Sequence, residues 1–370
     1  MLRALTLTLG LSALVAPMAL AEDVPDQLET PALVAGRASE AALLDLAQTG
    51  DRLVAVGERG VIVTKEAGSV DWEQRVVPVS ATLTAVAFNP AGIGVAVGHD
   101  GVILRSPDRG VTWEKVSDGN RLFATVIAAA DARYAAAETA LAAATDDTRD
   151  DLQFALEDEE FRRETAQQSL EYGPSWPLLD VTFSEPNVAW VVGAYGTFFR
   201  SGDAGMTWEL VADRVDNFED LHLNAILKTS AGDLVIAGEA GMLFHSGDGG
   251  ALFERFDSYD GLSLFGLVEA DAFLLAYGFG DSAQISVDGG LTWEAVRFDD
   301  NHLLIGHVTL GPDRVGLLGG SGVMVEVTDE GAQEITRPTG TRAFLSAGVQ
   351  MGSGEQVFVG EDGVMPAEGK

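Results

Sequence analysis

Short apolar runs recur along this chain at nearly constant spacing, and each ends at a glycine. The runs are 53–56, 95–97, 188–192, 234–237, 273–277, 315–318 and 357–359. A Gly-x-x-Gly turn follows at Gly57/Gly60, Gly98/Gly101, Gly193/Gly196, Gly238/Gly241, Gly319/Gly322 and Gly360/Gly363; at Gly278 the second glycine is displaced to Gly280. A second apolar run comes next, such as 102–104 or 242–244. Two short runs rich in Val and Leu, joined through a turn with two residues between its glycines, predict a β-hairpin. The first glycines are spaced by 41, 95, 45, 40, 41 and 41 residues, so the one long interval is a repeat plus an insertion of about fifty residues.

A second motif follows each turn at a fixed offset in the better-kept repeats. It reads Ser106-Pro-Asp108-Arg-Gly110-Val-Thr112-Trp113, then Ser201-Gly-Asp203-Ala-Gly205-Met-Thr207-Trp208, then Ser286-Val-Asp288-Gly-Gly290-Leu-Thr292-Trp293. The copy at Ser246, Asp248 and Gly250 ends in Phe253, and the first and sixth repeats are eroded. This resembles the Asp-box repeat of bacterial neuraminidases. The Asp is expected to cap backbone N–H groups, the Gly to turn the chain, and the Trp to bury its ring between sheets. Each unit is therefore four strands. The expected fold is all-β, a seven-bladed β-propeller of four-stranded blades with an inserted αα-hairpin. The last unit runs out of chain after Val364 and Met365, and the apolar segment 28–35 is expected to supply its missing strand.

The insertion, 120–175, has helical apolar spacing in two stretches, 122–144 and 149–171, broken by Thr145-Asp-Asp-Thr148. Phe123, Val126, Ile127, Tyr134 and Leu141 lie near helical spacing in the first; the second is charged and carries Leu152, Leu156 and Phe161. Because the insertion leaves and re-enters between blades 2 and 3, its removal is expected to leave the propeller folded. It can decorate the ring or serve as a docking arm.

Composition adds a compartment and excludes some partners. Arg3, an apolar stretch over 4–16, and Ala19-Leu20-Ala21 before Glu22 predict a signal peptide over 1–21, cleaved after Ala21. The propeller then occupies 22–370 and is expected to be exported, periplasmic and monomeric, with no membrane span. No cysteine is present, so disulfides and thiolate metal sites are absent. The net charge of −34 opposes contact with nucleic acid or anionic lipid. Five histidines have no metal-ligand spacing, and neither a metal nor a cofactor is expected.

One stretch resembles a particular family. Trp176-Pro-Leu-Leu-Asp180-Val-Thr-Phe183, Val192-Gly-Ala-Tyr195-Gly-Thr-Phe-Phe-Arg200, Asp216-Asn217, Leu221-His222-Leu-Asn224-Ala-Ile226 and Ala237-Gly-Glu239-Ala-Gly241 are similar to photosystem II assembly/stability factor-like propellers. Many members are exported proteins of non-photosynthetic proteobacteria, commonly encoded beside RND-type exporters. The resemblance implies a non-catalytic scaffold that binds a protein partner in the cell envelope, such as a membrane transporter. The Gly-x-x-Gly turns share a face with the long inter-blade links, so Arg59, His99, Asp100, Tyr195, Asp216, Asn217, His222, Asn224, Glu239 and Glu361 are the candidate partner-binding residues. The Asp-box residues Asp108, Gly110, Trp113, Asp203, Gly205, Trp208, Asp248, Gly250, Asp288, Gly290 and Trp293 are expected to be structural. Arg105 and Arg200 are expected to pair with acidic neighbours. The alternative is an Asp-box glycoside hydrolase or an envelope glycan-binding module. A hydrolase needs paired carboxylates, or a Tyr nucleophile with an Arg cluster, and the Arg-Ile-Pro opening of sialidases is missing.

Overall fold

Seven antiparallel sheets follow one another along the chain. Their first, innermost strands are Leu43–Thr49, Leu83–Phe88, Leu178–Glu185, Leu223–Lys228, Leu264–Ala270, Leu304–Gly311 and Leu345–Gln350. Blades 1 to 6 have four strands each, in sequence order from the centre outward. The computed structural model describes residues 26–368 apart from 67, 172, 174, 258–260, 282 and 299–301; the leader expected over 1–21 lies outside them.

The core lies between blades rather than within one. Val54, Val56 and Ile62 of blade 1 cluster with Val86, Leu104 and Trp113 of blade 2. Trp190 and Phe198 of blade 3 cluster with Ile236 and Phe244 of blade 4, and Leu275 and Tyr277 of blade 5 with Leu317 and Val325 of blade 6. A middle strand covered on both faces must be apolar at every position, which is why Leu234–Gly238 is buried throughout.

The first turn glycine is required by space. A Cβ on Gly57 would lie 2.1 Å from the Ala42 carbonyl oxygen, and one on Gly360 would lie 1.8 Å from that of Phe344. The Asp-boxes are local hydrogen-bond knots. Asp203 accepts the Thr207 N–H at 2.9 Å and the Thr207 and Ser201 hydroxyls at 2.6 and 2.8 Å, while Ser201 accepts the Gly205 N–H at 2.9 Å. Asp108 and Asp288 repeat this pattern; Asp248, lacking the Thr, accepts the N–H groups of Ala251 and Leu252. Gly110, Gly205, Gly250 and Gly290 press against Val54, Val95, Trp190 and Val235 of the preceding blade, so the box also sets the blade spacing. Arg105 reaches Ala204 of the next box and pairs with Glu114, and Arg200 pairs with Glu209.

Ring closure differs from the expectation. Among the described residues blade 7 has three strands, and the segment 28–35 is not a fourth. Instead Leu28 and Ala32 are buried with Val77, Val79 and Val102, over the junction of blades 1 and 2. Backbone bonds Ser80 N–H to Gln27 (2.8 Å) and Ala32 N–H to Val77 (3.1 Å) lay the segment antiparallel along the link 75–80. The ring closes without a shared strand among the described residues: Ala347, Val357 and Val359 of blade 7 pack against Leu43, Leu53 and Val63 of blade 1, and Lys65 pairs with Glu355 across the junction at 3.0 Å. The Ser346 hydroxyl donates to the Leu43 carbonyl at 2.6 Å. Gly363 sits against Ser39, in the turn Ala38–Glu40, much as Gly60 sits against Val79 in the next link. The chain between 36 and 42 thus replaces an inter-blade link. Leu28→Ala should therefore cost about 2–5 kcal/mol, whereas a seventh-blade edge strand would cost less. Urea unfolding of the variant measures the difference.

The insertion forms α1, Gly119–Ala142, and α2, Arg149–Glu171, an antiparallel pair. Asp118 caps α1 by accepting the Arg121 N–H. The base of α1 is part of the core, since Leu122 packs among Val97, Ile103 and Phe199, and Phe123 is only 2% exposed. The expectation that the whole insertion is dispensable to folding is therefore corrected. Phe161, one of the apolar residues on α2, is 69% exposed.

Candidate partner-binding cleft

The candidate residues fall into three environments. Arg59, Asp100 and Tyr195 occupy the third position of their turns with φ of 53°, 55° and 55°, a conformation the repeat imposes and not a sign of ligand binding. Arg59 and His99 are exposed there. Glu239 and Glu361 serve the fold: their carboxylates accept the N–H of His222 (3.1 Å) and of Phe344 (2.8 Å), as Glu58 accepts that of Ala42 (3.2 Å). Asn217 is buried and clamps its own loop by exchanging hydrogen bonds with Leu221, while Asp216 is exposed beside it. Asn224 is not on the face at all; it lines the central channel.

Tyr195 stands at the mouth of a cleft of about 410 Å³ between the helical pair and blade 3. Val126 and Ala130 of α1, Ala166 of α2, Trp176, Leu210 and Ala212 give it an apolar interior. Aromatic rings run in contact along one wall. Phe123 to Trp176, Trp176 to Tyr195, and Tyr195 to His222 have centroid separations of 4.4, 5.4 and 5.0 Å. Phe161 forms part of the rim, with Tyr195 52% exposed and Phe218 64% exposed nearby. Arg162 joins helix to blade, donating to the Phe218 carbonyl (3.0 Å) and pairing with Asp158 and Asp220. Arg133 of α1 pairs with Glu159 of α2. Burial pushes the Asp220 carboxyl up, opposed by Arg162 and Arg133. Exposed aromatic rings beside a largely apolar cleft, with arginines oriented by acidic partners, resemble the composition of protein-binding surfaces in general. Trp176 and Tyr195 were visible in the sequence motif; Phe218 was not, because nothing in its acidic link announces which side chain the loop turns outward.

The central channel holds a different set of polar groups. Each inner strand begins with a buried Leu, and all seven strands shift register within their first three residues. That bulge turns extra side chains inward. They latch consecutive blades. Asp45 accepts the Val86 N–H at 2.7 Å and Asp180 that of Ile226 at 2.8 Å, while Thr84 and Asn224 donate to the carbonyls of Leu178 (2.7 Å) and Leu264 (2.8 Å). Tyr277 and His307 join blades 5 and 6 through a 2.9 Å bond between the phenol oxygen and Nδ1. The two carboxylates are thus engaged in holding the ring together. Among the described residues, no three His, Asp or Glu side chains gather as a metal site.

Asp45, Asp180 and His307 are partly exposed to the narrow channel, yet protein encloses them, and that enclosure governs the cost of charging them. Burial, reinforced by the Asp45 charge, raises Asp180 to about 7; burial alone lowers His307 to about 4. As pH rises from about 4 to 7, the unfolded chain releases the Asp180 proton that the native ring retains, so this group withdraws stability across that window. As pH falls from about 6.5 to 4, the unfolded chain takes up a proton that native His307 refuses, and stability again drops. Asp180→Asn removes only the first effect. The stability of the parent relative to this variant should decline between about pH 4 and 7 and level off above, by urea unfolding at stepped pH; a constant difference would contradict the assignment.

Comparison with known proteins agrees with this reading of the fold. A family model described as photosynthesis system II assembly factor YCF48 matches residues 161–262, from within α2 to the link after blade 4. The photosystem II assembly lipoprotein Ycf48 of Trichormus variabilis is 33% identical over 76 residues, which span 20% of this chain and 22% of that relative. Among solved structures, YCF48 bound to D1 peptide aligns with a TM-score of 0.59 at 14% identity, covering 90% of this chain and 94% of that one. YCF48 from Cyanidioschyzon merolae gives 0.58 at 14% identity, covering 89% and 95%. The WD40 propeller of Doa1 gives 0.58 at 9% identity over 92% and 95%, so likeness at this level establishes the propeller alone. The sequence match over 161–262 makes that part of the chain similar to photosystem II assembly factor-like propellers, the stretch matched to the curated relative spanning about a fifth of it, and the structural likeness shows a seven-bladed β-propeller.

Proposed function

We propose that this chain is a non-catalytic scaffold of the cell envelope that binds a protein partner in the cleft between its helical pair and blade 3. The observation that carries the reading is the pair of exposed aromatic rings, Phe161 and Tyr195, lining an apolar cavity, with Phe218 exposed on the adjoining link whose carbonyl Arg162 holds. A similar propeller whose solved structure holds a D1 peptide supports a peptide or protein as the ligand class. An exported location, and an accessory role beside a membrane complex such as an RND-type exporter, follow from the leader-like 1–21 segment and the family resemblance. The test is capture of partners from a native envelope extract by the intact protein and by a Tyr195→Ser, Phe218→Ser double variant. Both side chains are largely exposed, so the variant should melt with the parent while losing the partner. Equal recovery by both forms would contradict the assignment of the cleft.

A further inference from the structure

We propose, resting on that reading, that the cleft and the outer face of α2 hold one basic amphipathic helix of the partner. The surface beyond the cleft sets the shape. Phe154 and Phe161 are 75% and 69% exposed and stand seven residues apart on α2, so they lie on one face about 10 Å apart along the helix axis. Phe161 also lines the cleft, so the two aromatic rings lead along α2 to the cavity and Tyr195, with the exposed carboxylates of Glu157 and Asp158 between them. A heptad-spaced aromatic pair matches the i, i+3/i+4, i+7 anchors of a helix lying alongside.

Charge sets the composition. Arg133 and Arg162 beside the cleft are engaged by Glu159, Asp158 and Asp220, so they offer little to an anionic ligand. Around them, Glu160 and Glu164 on α2 and Asp213 and Asp216 on the link are exposed and form no ion pair with a described residue. The whole chain carries −34, and a potential of this sign steers a cationic helix toward this surface and repels an acidic one.

The probes are two synthetic 18-residue peptides sharing Leu at i, i+3, i+4 and i+7, one with Lys and the other with Glu at the remaining positions. They are titrated into the full-length protein and into a Phe154→Ser, Phe161→Ser variant, with melting temperature as the check on folding. The Lys peptide should bind the parent, weaken at least ten-fold in the variant, and weaken further as salt is raised; the Glu peptide should not bind. Equal binding of the Lys peptide to both proteins would show attraction to net charge alone and overturn the proposal, as would binding of the Glu peptide. If neither peptide binds but the Tyr195→Ser, Phe218→Ser variant loses its envelope partner, the helix is wrong and the cleft assignment stands.

Discussion

Trp113→Ala should lower unfolding stability by about 3–5 kcal/mol, read as a fall in urea midpoint. The ring is 7% exposed and packs across the junction of blades 1 and 2, edge-on to Phe88 at 6.2 Å. Its indole N–H donates to the Gly110 carbonyl at 3.1 Å, so truncation empties a cavity and also strands an acceptor. Trp293 makes the same bond to Gly290 but is only partly buried. Trp208 sits at the equivalent junction of blades 2 and 3 with its indole nitrogen buried and unbonded. The loss at Trp208 should consequently contain less polar cost, and Trp208→Phe should be tolerated far better than Trp113→Phe. An unchanged midpoint for Trp113→Ala would remove the between-blade account of the core.

Replacing the insertion should separate stability from binding. Exchanging 121–172 for a short Gly/Ser linker deletes Leu122 and Phe123 with the helices, and should cost several kcal/mol, of the order found for lost buried side chains. A shorter exchange of 133–162 keeps Leu122, Phe123, Val126 and Ala130 on the propeller while removing Arg133, Phe161 and Arg162. Closing this loop changes the chain entropy little. The shorter form should melt within a few degrees of the parent and lose its partner. Loss of folding in the shorter form would mean that the distal helices support the ring; retained partner binding would move the site away from the cleft.

The repeat made the fold legible because blades are similar and each buries both faces of its middle strands. Gly57 and its equivalents sit where a Cβ would collide with the inner strand, and such a constraint recurs at the blade period. The Asp-boxes were legible for the same reason. Ring closure was not: Leu28 and Ala32 are apolar at a spacing that fits a strand or a cover, and only the tertiary contact with Val77 decides. The channel also has a signature in the sequence. Leu43-Leu-Asp45, Leu83-Thr84, Leu178-Leu-Asp180, Leu223-Asn224 and Leu345-Ser346 repeat a Leu followed within two residues by a polar group, which is the bulge written in sequence. At the candidate face, residue type misled at Glu239 and Glu361, since a carboxylate satisfying a buried N–H and one awaiting a ligand look alike in a turn. Phe161 could not be placed from spacing, because helical spacing identifies a face without saying whether the other helix covers it.

The central claim is that a protein partner occupies the cleft formed by the helical pair and blade 3. Amide hydrogen exchange of the full chain, alone and with the partner recovered from the envelope, tests it most directly. The account predicts new protection confined to α1, α2, the turn at 194–197 and the link 211–222, with the Asp-box loops near 108, 203, 248 and 288 unchanged. Protection centred on those Asp-box loops, or on the outer strands of blades 5 to 7 with the helical pair untouched, would contradict it.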